Sequence, residues 1–533
     1  MKRIIFILLI ILAFIVRTYR IADIPPALSW DEVSIGYNAY SILKTGRDEH
    51  GRFLPVDAFI AYGDYKPPLA IYLTVPSIAI LGLNELGVRF PSALFGTLTV
   101  FLTYFLVKEL FKRSHQSSIL SFFTSFLLTI SPWHINISRA GFEANIALFF
   151  VVLGTWMILV SREKPRIWII AGIPYVLSMY TFNSSRYFVV VFSLGLLFYC
   201  WKEIKREWKR VVAGFIIAMF VLLPLIPHLA SKEARLRFME VNIFSDINVI
   251  KKANEQISLD NYSFFAKVVH NRRMGFLRNF FLHYFDHFSP DFLFIRGDGN
   301  PKFSTQDLGQ LYIIELPFLL IGIYYVFLIY RKTALFLIYW LFTAIIPAAV
   351  ARETPHALRI LNSFPVWHIF IGIGVLTVTN HVIRTHKYTI LIAICFLYIF
   401  NIVYYFRSYY IHYPRMYSNE WQYGYKQVME YIDRYGKDYK KIYISDSIGR
   451  PYMYALFYLQ YDPKNYQPEK KSFFDASGFY HVSGFNKYIF TNAPPFQLDS
   501  DSLYIFQPGQ KPEGVTIKKT IPLLNGVPVL TIF

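Results

Sequence analysis

Leu69-Ala70-Ile71-Tyr72-Leu73-Thr74-Val75-Pro76-Ser77-Ile78-Ala79-Ile80-Leu81-Gly82-Leu83 is apolar throughout and interrupted only by Pro76. Whether this run crosses a membrane decides the topology of everything after it. Eleven other apolar runs read as spans: 4–21, 90–110, 117–133, 145–160, 167–182, 187–201, 211–229, 311–330, 334–350, 360–379 and 388–406. Several fall short of the roughly 20 residues a span needs, and snorkelling Lys and Arg with interfacial Tyr and Trp extend them. If 69–83 does not cross, one side receives Lys108/Lys112/Arg113, Arg162/Lys164/Arg166, Lys202/Lys205/Arg206/Lys209/Arg210, Arg331/Lys332 and Arg384/Lys387, together with Lys2 and Arg3. These are the positive clusters expected of cytoplasmic loops. If it crosses, all later clusters lie outside. The run is therefore expected as a helix at the outer face, bent near Pro76 and covered by other helices or lipid.

Composition agrees with a multi-pass membrane protein. The 533 residues are 54% hydrophobic, 19% aromatic and only 17% charged, where soluble domains carry about a quarter charged residues. The net charge of +19 belongs to short loops, so nucleic acid is not expected as a partner. Cys200 and Cys395 both lie inside apolar runs and imply no disulfide framework. Met1-Lys2-Arg3 followed by 4–16 resembles a signal peptide, but Arg17-Thr18-Tyr19-Arg20 offers no cleavage site, so an uncleaved first span is expected.

The fold class that follows is an all-α polytopic membrane domain over 1–406, with about eleven transmembrane helices and outer-face helices. A soluble α/β domain is expected over 407–533. In that tail, helices are expected over 420–435 and 452–461, and strands over 441–445, 503–506, 514–521 and 527–533. Outer segments are 22–89, 134–144, 183–186, 230–310, 351–359 and the tail. The loop 230–310 is too long for a connector. It opens on Lys232-Glu233-Ala234-Arg235-Leu236, becomes aromatic at Phe280–Phe288, and turns at Arg296-Gly297-Asp298-Gly299-Asn300-Pro301.

The polar residues with apparent purpose are nearly all on the outer side: Asp31, Glu32, Asp64, Lys66, Arg139, Glu143, Arg186, Arg296, Asp298, Arg352, His356 and Arg359. One-sided placement favours a single outer site over a transport path, which concentrates polar groups at mid-membrane. Lys66, Arg139, Arg186, Arg352 and Arg359 come from four outer segments. Together they suit a phosphate or diphosphate, since Arg offers a planar donor fork and Lys a point charge. Separately, each could snorkel to headgroups. Glu143 follows Arg139 by four residues, the spacing of a helical ion pair. Asp31 or Ser29 could instead cap a helix over 32–43. Asp64 could orient Lys66 or ligate a metal, and His356 could bind phosphate or metal or cap a turn. No ligand spacing specifies a metal site, and a divalent metal ion is left open as a cofactor.

Trp30-Asp31-Glu32 with Tyr37-Asn38-Ala39, then Lys66-Pro67-Pro68-Leu69, then Arg89-Phe90-Pro91-Ser92-Ala93-Leu94-Phe95-Gly96 resemble the N-terminal half of GT-C class membrane glycosyltransferases. The nearest group is that of protein O-mannosyltransferases and the lipid A aminoarabinose transferase. Ser138-Arg139-Ala140-Gly141-Phe142-Glu143 resembles that group's second acidic motif, with Glu where Asp is usual. The resemblance covers 1–200, weakens through 352–359 and is not claimed for the tail. It implies transfer of a sugar from a polyprenyl-phosphate carrier to a protein, lipid or glycan acceptor on the extracytoplasmic side of the cell membrane, with inversion. By the same resemblance Asp31 is the catalytic carboxylate, supported by Glu32. Lys66 and Arg139 contact the carrier phosphate, and Glu143 is the second acid. Metal-binding relatives place Glu directly before the Lys, where this chain has Tyr65. The alternatives are a lipid-linked sugar flippase or polysaccharide exporter, and a surface-polysaccharide ligase or polymerase.

Overall fold

The computed structural model describes residues 2–231, 234, 239, 241–381, 383–475 and 479–533. The charged stretch 232–236 lies outside the described residues, apart from Ala234. The chain forms two compact units. One comprises Met1–Ala13, Gly96–Ile137 and Ala144–Val403; the other comprises Phe14–Phe95, Ser138–Glu143 and Tyr404–Phe533.

The chain begins with α1 (Lys2–Thr18), α2 (Trp30–Thr45), β1 (Phe59–Ala61), β2 (Asp64–Lys66), α3 (Leu69–Leu81) and α4 (Glu85–Leu110). α5 (Ser117–Ile130), α6 (Pro132–Arg139) and α7 (Glu143–Ser161) follow. α3 has 13 residues, about 20 Å of helix against a hydrocarbon core of about 30 Å. By length and apolarity six helices among the described residues can cross a membrane, or seven if α5 and α6, bent by 58°, count as one. That is fewer than the eleven expected, because several apolar runs are broken. The run 167–182 becomes a 3-10 turn over Pro165–Ile169 and a short helix Ile173–Met179, and the run 311–330 becomes the 15-residue helix Glu315–Ile329.

In the first unit, the helices Glu315–Ile329 and Val366–His381 approach closely through glycine. A Cβ on Gly322 would meet the Phe370 carbonyl oxygen at 1.8 Å, and one on Gly374 would meet the Phe318 oxygen at 1.9 Å. Small residues allow such backbone contact between apolar helices. The long loop contains helices Ile247–Leu259, Phe264–Val269 and Arg272–Asp286.

The second unit is built on a seven-stranded sheet of order β4-β5-β6-β3-β7-β9-β8. Its strands are β3 (Lys441–Ser445), β4 (Lys471–Phe474), β5 (Tyr480–Phe485), β6 (Tyr488–Thr491), β7 (Ser502–Phe506), β8 (Lys519–Pro522) and β9 (Pro528–Ile532). β3 runs parallel to β6 and β7; the other pairs are antiparallel. Helices Tyr425–Tyr435 and Pro451–Tyr458 cover it. The same apolar core takes in Val33, Tyr37 and Ile42 of α2 and Ile71 and Ile78 of α3. A Cβ on Gly36 would meet Phe457 and Val88 side chains at 2.6 Å, so α2 lies close against the helix Pro451–Tyr458. The compact unit is thus wider than the tail 407–533: it includes the 22–89 segment that bears Asp31 and Lys66.

Candidate active site

α2 starts at a capping box. Ser29 accepts from the Glu32 N–H through its hydroxyl, and the Glu32 carboxylate accepts from the Ser29 N–H at 2.9 Å. Asp31 and Glu32 therefore lie in the first helical turn, not in a strand or loop. Successive helical residues differ by about 100°, which sends the two acids into different surroundings. Glu32 is fully buried, whereas the Asp31 side chain is 41% exposed.

Glu32 meets Arg89, one turn into α4. Arg89 Nε donates to Glu32 Oε1 at 2.8 Å, and Gly141 N donates to the same oxygen at 2.9 Å. The Ser29 hydroxyl donates to Oε2 at 3.2 Å. Arg89 also donates to the carbonyls of Ile21, Pro25 and Ala27. A buried ion pair is tolerated when hydrogen bonds fill its remaining sites, as they do here. Arg139, at the end of α6, is similarly occupied. It donates to the carbonyls of Val16 (2.8 Å), Tyr19 (2.7 Å) and Ile24 (3.0 Å) and to the Tyr409 hydroxyl (3.3 Å), with its guanidinium over the Tyr409 and Tyr410 rings. Arg89 and Arg139 thus anchor the chain from α1 into α2.

The exposed acid has another partner. β1 and β2 form a hairpin pairing Phe59 with Lys66, and Pro67 and Pro68 turn the chain into α3. Lys66 is nearly buried, and its Nζ lies 2.9 Å from Asp31 Oδ1 and 3.2 Å from Glu143 Oε1. Glu143 opens α7, two residues beyond the Gly141 amide that Glu32 holds. Two carboxylates thus share one ammonium, and one of them faces solvent. Asp64 lies on β2, and its side chain falls outside the described residues.

The remaining candidates lie in the other compact unit. Arg186 Nε donates to the Met179 carbonyl at 3.2 Å. Arg352 donates to the Asn242 carbonyl and the Ser245 hydroxyl, both at 3.1 Å. Arg359 lies 3.7 Å from the Glu353 carboxylate, and the exposed Arg296 lies 3.6 Å from Asp291. Asp298 and His356 come together with a residue the sequence did not single out, His287. The Asp298 carboxylate accepts from the N–H groups of Asn300 (2.8 Å) and Ala357 (2.6 Å), and His287 Nε2 accepts from the His356 N–H at 3.1 Å. Burial pushes Asp298 up to about 6 and His287 down to about 4. His356 is held well below the usual histidine range, first by burial and then by Arg359.

Among the described residues no three His, Cys, Asp or Glu side chains converge as a metal site would require. Arg89, Gly141 and Tyr409 are the site residues that sequence reasoning left unassigned. The available signal was Arg89 itself, a charge in the first turns of an apolar helix, which demands a partner.

Residues 65–230 match the family described as dolichyl-phosphate-mannose-protein mannosyltransferase. YkcB of Bacillus subtilis, described as a candidate mannosyltransferase, is 25% identical over 158 residues, which is 30% of this chain and 21% of that protein. The match therefore spans about a fifth of the curated relative. The fold is similar over nearly its whole length to ArnT from Cupriavidus metallidurans solved with undecaprenyl phosphate: TM-score 0.53, 12% identity, 99% of this chain and 97% of the other. It is also similar to the Archaeoglobus fulgidus oligosaccharyltransferase solved with a tethered acceptor peptide: TM-score 0.50, 12% identity, 90% of this chain and 74% of the other. The GT-C resemblance carried by the motifs is borne out, and the chain is related to glycosyltransferases.

Proposed function

We propose that this GT-C class chain is an integral-membrane glycosyltransferase that moves a sugar from a polyprenyl-phosphate donor to an acceptor at the extracytoplasmic face, with inversion. The observation that carries the proposal is the Lys66 ammonium shared between Asp31 and Glu143. A donor phosphate brings the charge Lys66 is placed to neutralise. When the phosphate takes the ammonium, Asp31 loses its partner and becomes free to accept a proton. The acceptor O–H or N–H gives its proton to Asp31 as its heavy atom bonds to the anomeric carbon. The anomeric C–O bond to phosphate breaks, and its electron pair leaves on the phosphate, which Lys66 stabilises. A single displacement inverts the anomeric centre. Glu143 holds Lys66 in place throughout.

Glu32, Arg89 and Arg139 set the geometry in this reading. Glu32 fixes the Gly141 amide, and so the start of α7, while the two arginines fix the entry to α2. ArnT was solved with a polyprenyl phosphate, which supports the donor class. The positive loop clusters support the side.

The test is reconstitution in proteoliposomes with a polyprenyl-phosphate sugar and candidate acceptors. Transfer with inverted stereochemistry is expected. Movement of the lipid-linked sugar between leaflets without transfer would overturn the reading in favour of a flippase. For sidedness, cysteines at positions 112 and 296 should label from opposite faces; labelling from one face would reject the proposed sidedness.

A further inference from the structure

In the helical unit, α4 ends at Leu110 and α5 begins at Ser117. The turn between them, with the ends of the helices Glu315–Ile329 and Val366–His381, lines a half-open cavity of about 290 Å³. Its buried lining is apolar, from residues such as Leu120 and Ile373. Its exposed lining is polar and basic: Arg113, His115, Gln116 and Asn380. Asn380 donates to the Gln116 side-chain oxygen at 3.1 Å, holding that edge together.

The charges in the turn divide in two. Lys112 is paired with Glu109 and Glu163. Arg113, next to it, has no carboxylate partner among the described residues. The N-terminus of α5 adds to this positive field, because Gln116 makes no side-chain cap there. Large apolar side chains flank the cavity in the open: Ile119 is 52% exposed on α5, and Leu328 and Ile329 are 64% and 51% exposed at the end of Glu315–Ile329. A cationic rim, a lining that mixes polar groups with a few buried apolar ones, and apolar flanks at helix ends form an amphiphilic site, and basic pockets between membrane helices take anionic headgroups.

We infer that this cavity binds the phosphodiester headgroup of an anionic phospholipid, with Arg113 as the principal cation and the acyl chains along the exposed faces of α5 and the helix Glu315–Ile329. The volume fits a headgroup, not a whole lipid or a drug-sized ligand. The apolar flanks favour a lipid over a soluble phosphate. The inference does not depend on the transfer reaction.

The test uses the full chain, stripped of lipid in detergent and offered phosphatidylglycerol and phosphatidylcholine of equal chain length, with bound lipids counted by native mass spectrometry. One phosphatidylglycerol should be retained about tenfold more tightly than phosphatidylcholine, because both carry the phosphodiester but the choline cation of the latter cancels its charge and is repelled by Arg113. Arg113→Gln should abolish that difference, while Arg415→Gln, at an exposed site elsewhere, should preserve it. Leu376→Trp, which fills the cavity from the helix Val366–His381 and keeps the Arg113 charge, should also release the lipid. Equal retention of the two lipids, or selective retention that survives both Arg113→Gln and Leu376→Trp, would overturn the inference. So would displacement of the bound lipid by millimolar inorganic phosphate, which would mark a soluble-phosphate site.

Discussion

Asp31 and Glu32 are adjacent carboxylates in one helical turn, and they have opposite surroundings. Glu32 is sealed from water, and its oxygens are filled by Arg89, the Gly141 amide and both the amide and hydroxyl of Ser29. Asp31 is 41% exposed and leans on a lysine that it shares with Glu143. A buried, fully bonded ion pair cannot exchange partners without leaving a charge unpaired. An exposed acid on a shared ammonium can. One residue of helical rotation thus separates a sealed acid that holds the scaffold from an exposed acid that, in the proposed reaction, takes the proton.

The comparison can be broken most forcefully at Glu32. Glu32→Gln leaves the Arg89 guanidinium buried without its anion, and breaking such a pair costs about 3–5 kcal/mol. Chemical denaturation should register that loss; a change below about 1 kcal/mol would mean Glu32 is not the scaffold acid.

Asp298 sharpens the rule from the other unit, because it is buried with amide donors and, among the described residues, has no Lys or Arg in ion-pair contact, Arg359 acting on it only through its field. Its folded value of about 6 lies above the ordinary 3.8, so its contribution to stability falls as pH rises from about 4 through 6. His287 runs the opposite way: its folded value of about 4 lies below 6.5, so stability is lost as pH falls across that window. Asp298 offsets His287 in the native chain, while His356, also held below the usual histidine range, adds acid sensitivity. Asp298→Asn should remove that offset and make melting more acid-sensitive than the native chain's between about pH 6 and 4, by about 3 kcal/mol. An unchanged pH profile would reject the pairing.

Lys66→Met should raise the KM for the polyprenyl-phosphate donor by about 10- to 100-fold, the worth of one charge-assisted contact. Steady-state kinetics over a donor series would show it, and an unaltered KM would remove Lys66 from donor recognition. The smallest effect is expected at Ser29→Ala, which deletes the helix cap at a cost of about 1 kcal/mol. Thermal unfolding should reveal it with kcat retained; a large loss of kcat would show that the cap also orients Asp31.

Much of the site was legible because its members sit in compact motifs. Asp31, Lys66 and Glu143 all stood out as charges beside apolar runs, and they converge. Their division of labour was not legible. Which way Asp31 and Glu32 face depends on where α2 starts, and Ser29 with Glu32 decides that. Arg139 looks in sequence like a phosphate ligand, but its donors go to the Val16, Tyr19 and Ile24 carbonyls, whose positions no local pattern foretells. In the tail, β3, β7 and β9 showed as apolar strands. β4 to β6 did not, because β4 and β6 have only 4 residues each and β4 is exposed throughout, while β5 has 6. Nor could the pattern show that Tyr425, Phe457 and their neighbours share a core with α2 and α3, since that is a long-range contact.

The most direct measurement is single-turnover transfer by Asp31→Asn, with donor binding and melting temperature measured on the same preparation. Asn keeps the size of the side chain and removes the base. The account predicts a fall in transfer of about 10²–10⁴-fold, with donor affinity equal to or tighter than the native chain's, because the phosphate no longer competes with Asp31 for Lys66, and with melting unchanged. Native turnover by Asp31→Asn would contradict it, as would a loss of transfer explained entirely by unfolding or by failure to bind donor.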